Sequence, residues 1–147
     1  MKNATYEADF YAWTVGQSNL LRPGRFADAD VANIIEEIET LGRSEKRELR
    51  TRLLVLLAHL LKWQVQPERR SNSWKLTITE QRIRLKEHVA DNPSLAPSLP
   101  EVIASVWRQV LVKAMRQTGF AEASFPAACP WTVEQILDEE SYPAGER

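Results

Sequence analysis

Apolar positions recur at spacings of three and four residues along almost the whole chain, a helical pattern rather than the alternation of strands. Tyr6, Phe10 and Trp13, continuing to Leu20 and Leu21, predict a first helix over about Ala4–Leu21. Pro23–Gly24 breaks it as a turn signal. Asp28 or Asp30 is placed to cap a second helix, with a stripe of Val31, Ile34, Ile35, Ile38 and Leu41. Gly42 stands where a helix end favours a left-handed residue, and Ser44 before Glu45 reads as a fresh N-cap. A third helix is therefore predicted over about 44–66, ended by Pro67. Leu49, Leu53, Leu56, Leu57 and Leu60 form its main stripe, and Leu54, Val55 and Leu61 fall outside it. A helix apolar nearly all round is covered on more than one side, so this one is expected to be central.

Ser71 or Ser73 caps a fourth helix to about Ala90, with Trp74, Ile78, Leu85 and Val89 inside. The proline-punctuated "DNPSLAPSLP" is a connection, and "SLPE" at Ser98–Glu101 reads as a capping box. Val102, Ile103, Val106, Trp107, Val110, Leu111, Ala114 and Met115 make an amphipathic fifth helix, ended by Gly119. A second capping box, Thr132–Gln135, opens a short last helix to about Glu139, and the polar end past Pro143 is expected to fray. The predicted fold is all-α: a compact bundle of about five helices plus a short C-terminal one, in a single domain spanning 1–147.

Charge changes this picture more than composition does. The net charge is only -1, but residues 1–42 carry -4, residues 43–90 carry +7 and residues 91–147 carry -4. Either acidic ends pack near a basic middle, or segment 43–90 meets an anionic partner. Cys129, the single cysteine, permits no internal disulfide, and no apolar signal core precedes the first helix; a reducing cytoplasm is expected. The most apolar run, Leu53–Leu61, is far short of the ~20 residues of a membrane span, so no membrane partner is expected.

Candidate chemistry concentrates between His59 and Arg82. His59, Lys62 and Trp63 stand at i, i+3 and i+4 and can touch. Arg52 lies two turns earlier on a similar face, and a short turn before the fourth helix would bring Arg82 across an antiparallel hairpin. Glu37, at the edge of the second helix's stripe, is a carboxylate able to meet a cation. Read as a pocket, Glu37 and His59 supply acid–base groups and Lys62 and Arg82 bind an anion. Read as architecture, the same groups form a buried network that fixes helix register. Trp74, among Arg69, Arg70 and Lys75, is either core of the fourth helix or a stacking platform for nucleic acid. No Glu-x-x-His pair, HEXXH motif or phosphate-binding glycine loop occurs, so neither a metal nor a cofactor is expected. Cys129 has no base beside it and reads as a small buried hydrophobe.

The segments "YEADFYAW", "IIEEIETLGRSEKREL", "LLAHLLKWQVQPERRSNSWKLTITEQR" and "FPAACPWTVEQIL" together resemble the bacterial domain-of-unknown-function family twenty-nine, from about Tyr6 to Tyr142. That resemblance implies a small, soluble, all-helical protein and no activity. The first functional expectation is a non-catalytic interaction or accessory module with an unidentified protein partner, and a homo-oligomer is compatible with it. The alternatives are a nucleic-acid-associated protein using segment 43–90, and an enzyme or ligand pocket around His59.

Overall fold

A computed structural model describes residues 4–144, which contain no strand; the last residues expected to fray lie outside that range. Six α-helices occur among the described residues: α1 (Ala4–Ala8), α2 (Phe10–Leu21), α3 (Val31–Val65), α4 (Asn72–Asp91), α5 (Leu99–Thr118) and α6 (Val133–Leu137). Short 3-10 turns lie at Phe26–Asp28, Pro67–Arg69, Pro93–Ser98 and Glu122–Ser124. The all-α expectation holds, and no described helix is long and apolar enough to cross a membrane.

Two predicted boundaries are corrected. The first helix is interrupted at Asp9, whose extended backbone and carboxylate, accepting from the Ala12 N–H at 3.0 Å, restart the chain as α2. The second and third predicted helices are one continuous helix of 35 residues, α3. Gly42 does not end it, because among the described residues only Gly24 and Gly119 adopt positive φ. A glycine inside a helix costs about 1 kcal/mol relative to alanine, too little alone to stop a long helix. Arg43 spans the weak point, reaching Glu36 at 3.2 Å, Thr40 at 2.9 Å and Glu39 at 3.8 Å.

The caps divide the same way. Ser71 accepts from the Trp74 N–H, Thr132 and Gln135 form both halves of their box, and Gly119 closes α5 at φ 76°. The expected Ser98–Glu101 box does not form. Ser98 already has helical backbone at the end of the Pro93–Ser98 turn, and its hydroxyl donates to the Leu95 carbonyl at 2.6 Å.

The chain divides into two compact units, Met1–Glu45 and Lys46–Arg147. In the first, α2 runs antiparallel to the start of α3. Trp13 and Gln17 both meet Asp30, whereas Tyr6, further back along the chain, meets Glu37. Phe10 stacks on Trp13 and Tyr6 meets both edge to face, with ring centroids 4.8–5.8 Å apart.

In the second unit, α3 from Leu49 to Lys62 contributes eight buried residues, more than any other helix, and lies at the centre of the core. Ile78 and Leu85 of α4, Ile103, Val106, Trp107 and Val110 of α5, and Ile136 of α6 pack in the same cluster. Contacts fix the helix directions. Glu48 meets His88 while Lys62 meets Trp74, so α4 is antiparallel to α3. Arg50 meets Ser105 and Leu54 shares a cleft with Gln109, so α5 is parallel to α3.

Candidate functional site

The buried half of α3 positions the polar residues singled out above, and each has a specific neighbour. The His59 Nδ1 lies 2.8 Å from the Val55 carbonyl, one helical turn back. A carbonyl only accepts, so Nδ1 carries the proton and Nε2 is left as the acceptor in the neutral ring. Burial, with smaller repulsion from Lys62 and Lys113, holds the imidazole below the usual histidine range. Lys62 is 7 % exposed, and its ammonium sits 4.9 Å from the centre of the Trp74 ring. Burial and the charge of Lys113 push its pKa down. Trp63 packs its ring at a tilt against Tyr142, centroids 4.8 Å apart, and receives the Arg70 guanidinium over its ring at 5.0 Å.

Arg82 makes its hydrogen bonds to α6. It is 1 % exposed, and its Nε and Nη2 donate to the Ile136 and Gln135 carbonyls at 2.7 and 3.2 Å. Those carbonyls close the C-terminal end of α6, where a cation also complements the helix dipole. The Tyr142 ring lies 5.3 Å from the guanidinium. Arg82 therefore ties α4 to α6. Glu37 accepts from the Tyr6 hydroxyl at 2.5 Å, and that bond, with lesser effects of burial and nearby carboxylates, pushes the Tyr6 phenol up to about 12. Arg52 bridges Glu48 at 3.2 Å and Gln81 at 3.4 Å. Trp74 is only half-buried and lies outside the core cluster, serving as the ring under Lys62. The Cys129 thiol donates to the Trp131 carbonyl at 3.6 Å, and burial raises its pKa, which keeps it protonated.

Two residues of consequence were not visible in the local sequence. His88 is buried and meets Glu48 at 2.5 Å. Lys113, an ordinary lysine of an amphipathic helix by its spacing, bears on Lys62 and His59 through its charge, which lowers the pKa of both.

The first unit presents a different surface. Helix α2, "FYAWTVGQSNLL", carries no charged residue, yet Trp13 is its single buried one. On α3, Val31, Ile35 and Ile38 stand at i, i+4 and i+7 and are exposed, Ile38 at 62 %; Leu41 is at 66 %. At about 100° per residue, counted from the contacts that seat α2 on α3, Phe10 and Leu21 fall on the same side of the hairpin as that stripe. Of the thirteen large apolar side chains exposed among the described residues, nine belong to this unit.

No curated protein and no solved structure matches the chain. Residues 5–142 match the family described as the domain of unknown function DUF29, and the chain belongs to that family.

Proposed function

We propose that this protein is a non-catalytic interaction module, and that its first unit pairs with the same unit of a second copy. The observation that carries the reading is the concentration of exposed apolar side chains on the α2–α3 hairpin. A helix without charge belongs in an interior, and α2 has only one buried residue. Phe10, Leu21, Val31, Ile35 and Ile38, on one side of the hairpin and 38–62 % exposed, would form the apolar centre of an interface, and a standard one takes about 800 Å² from each partner including a polar rim.

A second copy is the occupant that best fits this face. Two antiparallel helices with one apolar side are half of a four-helix bundle, and an identical hairpin supplies the other half. The stripe carries no charge, so a two-fold axis through it brings no like charges together; two-fold dimers are also the commonest assemblies. The net charge of -4 over residues 1–42 disfavours an anionic membrane or nucleic acid on this face. The non-catalytic part of the reading draws on the second unit, where Arg82 holds backbone carbonyls and His59 its own helix. Within segment 43–90, Arg43, Arg52, Arg84 and Lys86 are paired with carboxylates, which weighs against a free basic patch there.

Sedimentation equilibrium of wild type and Ile38→Glu tests this reading. The expected result is a dimer for wild type and a monomer with unchanged helical content for the variant. A wild-type monomer at every soluble concentration overturns the self-pairing. Capture of a different protein by the monomer, lost in Ile38→Glu, would assign the face to another partner.

A further inference from the structure

Arg82 keeps donors in reserve after tying α4 to α6. Its Nε and Nη2 donate to the α6 carbonyls, while Nη1, though buried, has no hydrogen-bond partner. The Tyr142 ring lies against the guanidinium at 5.3 Å. A guanidinium is planar and rigid, and the carbonyls occupy its Nε–Nη2 side. Its end edge, made by Nη1 and the second N–H of Nη2, is what remains for another acceptor. Arg82 also lines a cleft of about 260 Å³. Leu60, Trp131, Tyr142 and Pro143 give that cleft apolar walls, and Ser141 adds a hydroxyl. All these residues belong to the second unit, so the inference does not rest on the pairing of the first.

A buried charged donor without an acceptor is costly, and a bound ion or ligand is one explanation for it. The two N–H bonds of an end edge match the two oxygens of a carboxylate. A single negative charge also suits the surroundings. Asp138 and Glu139 act on Arg82 through their charge, but neither forms an ion pair with it. Asp138 accepts from the Glu140 N–H at 2.9 Å, and Glu139 binds Lys86 at 2.8 Å. A dianion would meet more repulsion from these two acids than a carboxylate does. Size narrows the ligand further. At about 30 Å³ per water molecule, the cleft holds an acid of about nine non-hydrogen atoms.

We propose that this cleft binds a small monocarboxylate with an apolar body, its oxygens on the Nη1–Nη2 edge of Arg82 and its body against Trp131 and Tyr142. Benzoate is the probe, titrated into the full chain by calorimetry against chloride at matched ionic strength. Benzamide and acetate are the comparisons. The second readout is the Nε–H resonance of Arg82, which reports on the same guanidinium. Benzoate should bind and shift that resonance. Benzamide should bind more weakly on the order of tenfold, because its oxygen is a neutral acceptor. Acetate should also bind more weakly, because it lacks the apolar body.

Arg82→Met removes the donors but also the tie to α6, so Ser141→Glu is the decisive variant. It leaves Arg82 in place, as well as the backbone bond from the Ser141 N–H to the Asp138 carbonyl, and puts a carboxylate into the cleft lining. It should keep wild-type helical content and weaken benzoate on the order of tenfold or more, through repulsion between like charges. No heat and no shift of the Arg82 resonance with benzoate would overturn the proposal. So would benzoate binding by Ser141→Glu equal to that of wild type, or benzamide or acetate binding as tightly as benzoate.

Discussion

Leu41 and Leu57 lie on one helix and meet opposite surroundings. Leu41, in the first unit, is 66 % exposed; Leu57, in the second, is 0 % exposed. Ile38 and Leu53 differ in the same way. All four belong to stripes with helical spacing, and nothing in the residue types separates them. What differs is the covering. The second half of α3 is wrapped by α4, α5 and α6, whereas the first half has only the α1–α2 segment seated on it. Burying a leucine or isoleucine fully is worth about 1.5–3 kcal/mol, and the exposed stripe leaves that gain unrealised within one chain. An apolar stripe thus records that something covers a helix, and whether the cover is the same chain is a separate matter.

The sharpest way to break the comparison is a pair of truncations. Leu57→Ala should cost about 2–5 kcal/mol in urea melts, through lost burial and a cavity. Leu41→Ala should stay within about 0.5 kcal/mol of wild type when measured on the monomeric Ile38→Glu background. Equal losses at the two sites would mean that the first half of α3 is as covered as the second.

Next in size is Arg82→Met, which keeps the length of the side chain and removes its donors. It leaves the Ile136 and Gln135 carbonyls without their partner and should cost about 2–4 kcal/mol. A loss of a few tenths would mean that Arg82 does not hold α6 in place.

Gly42→Ala gives a smaller effect of the opposite sign. Nothing lies within 4 Å of a Cβ built at Gly42, and its φ is not positive. Alanine should therefore stabilise by about 0.4–1 kcal/mol, from helix propensity and a less flexible unfolded chain. Destabilisation by a similar amount would indicate a left-handed helix end at this residue, with two helices where α3 is one.

The smallest effect is carried by pH. The pKa of His59 is lower folded than unfolded, so its contribution to stability is present above the unfolded value of about 6.5. That contribution is lost as pH falls through the folded value, because the unfolded state takes up the proton first. Wild type should lose stability relative to His59→Gln between pH 6.5 and mildly acid conditions, measured by paired urea melts. Parallel stability curves for the two proteins would show that His59 titrates alike in both states.

Much of this architecture was legible in the sequence, and the failures share a cause. Ser71, Gly119 and the Thr132–Gln135 box were readable because a cap acts on the three or four residues beside it. Gly42 misled because a glycine signal is local, whereas a helix of 35 residues is held by neighbours on both sides of it. At Asp9 the aromatic spacing of Tyr6, Phe10 and Trp13 runs unbroken across a real interruption, since edge-to-face ring contacts bridge it. Lys62 and Trp74 were both singled out in the sequence, though not as the pair they form. The partners of Arg82 were not, since α6 lies more than fifty residues downstream. Lys113 was missed for the same reason, because its charge acts on Lys62 across the packing of α5 on α3.

The central claim is that the exposed stripe of the first unit is covered by its own kind. A mixed sample of carbon-13-labelled and unlabelled chains, observed by isotope-filtered nuclear Overhauser spectroscopy, tests it most directly. The account predicts intermolecular contacts from the Ile35 and Ile38 methyl groups to Phe10, Leu21 or Val31 of the other copy, all absent in Ile38→Glu. Intermolecular contacts confined to Leu76, Ile83 or Phe120 of the second unit, or none at any concentration, would contradict it.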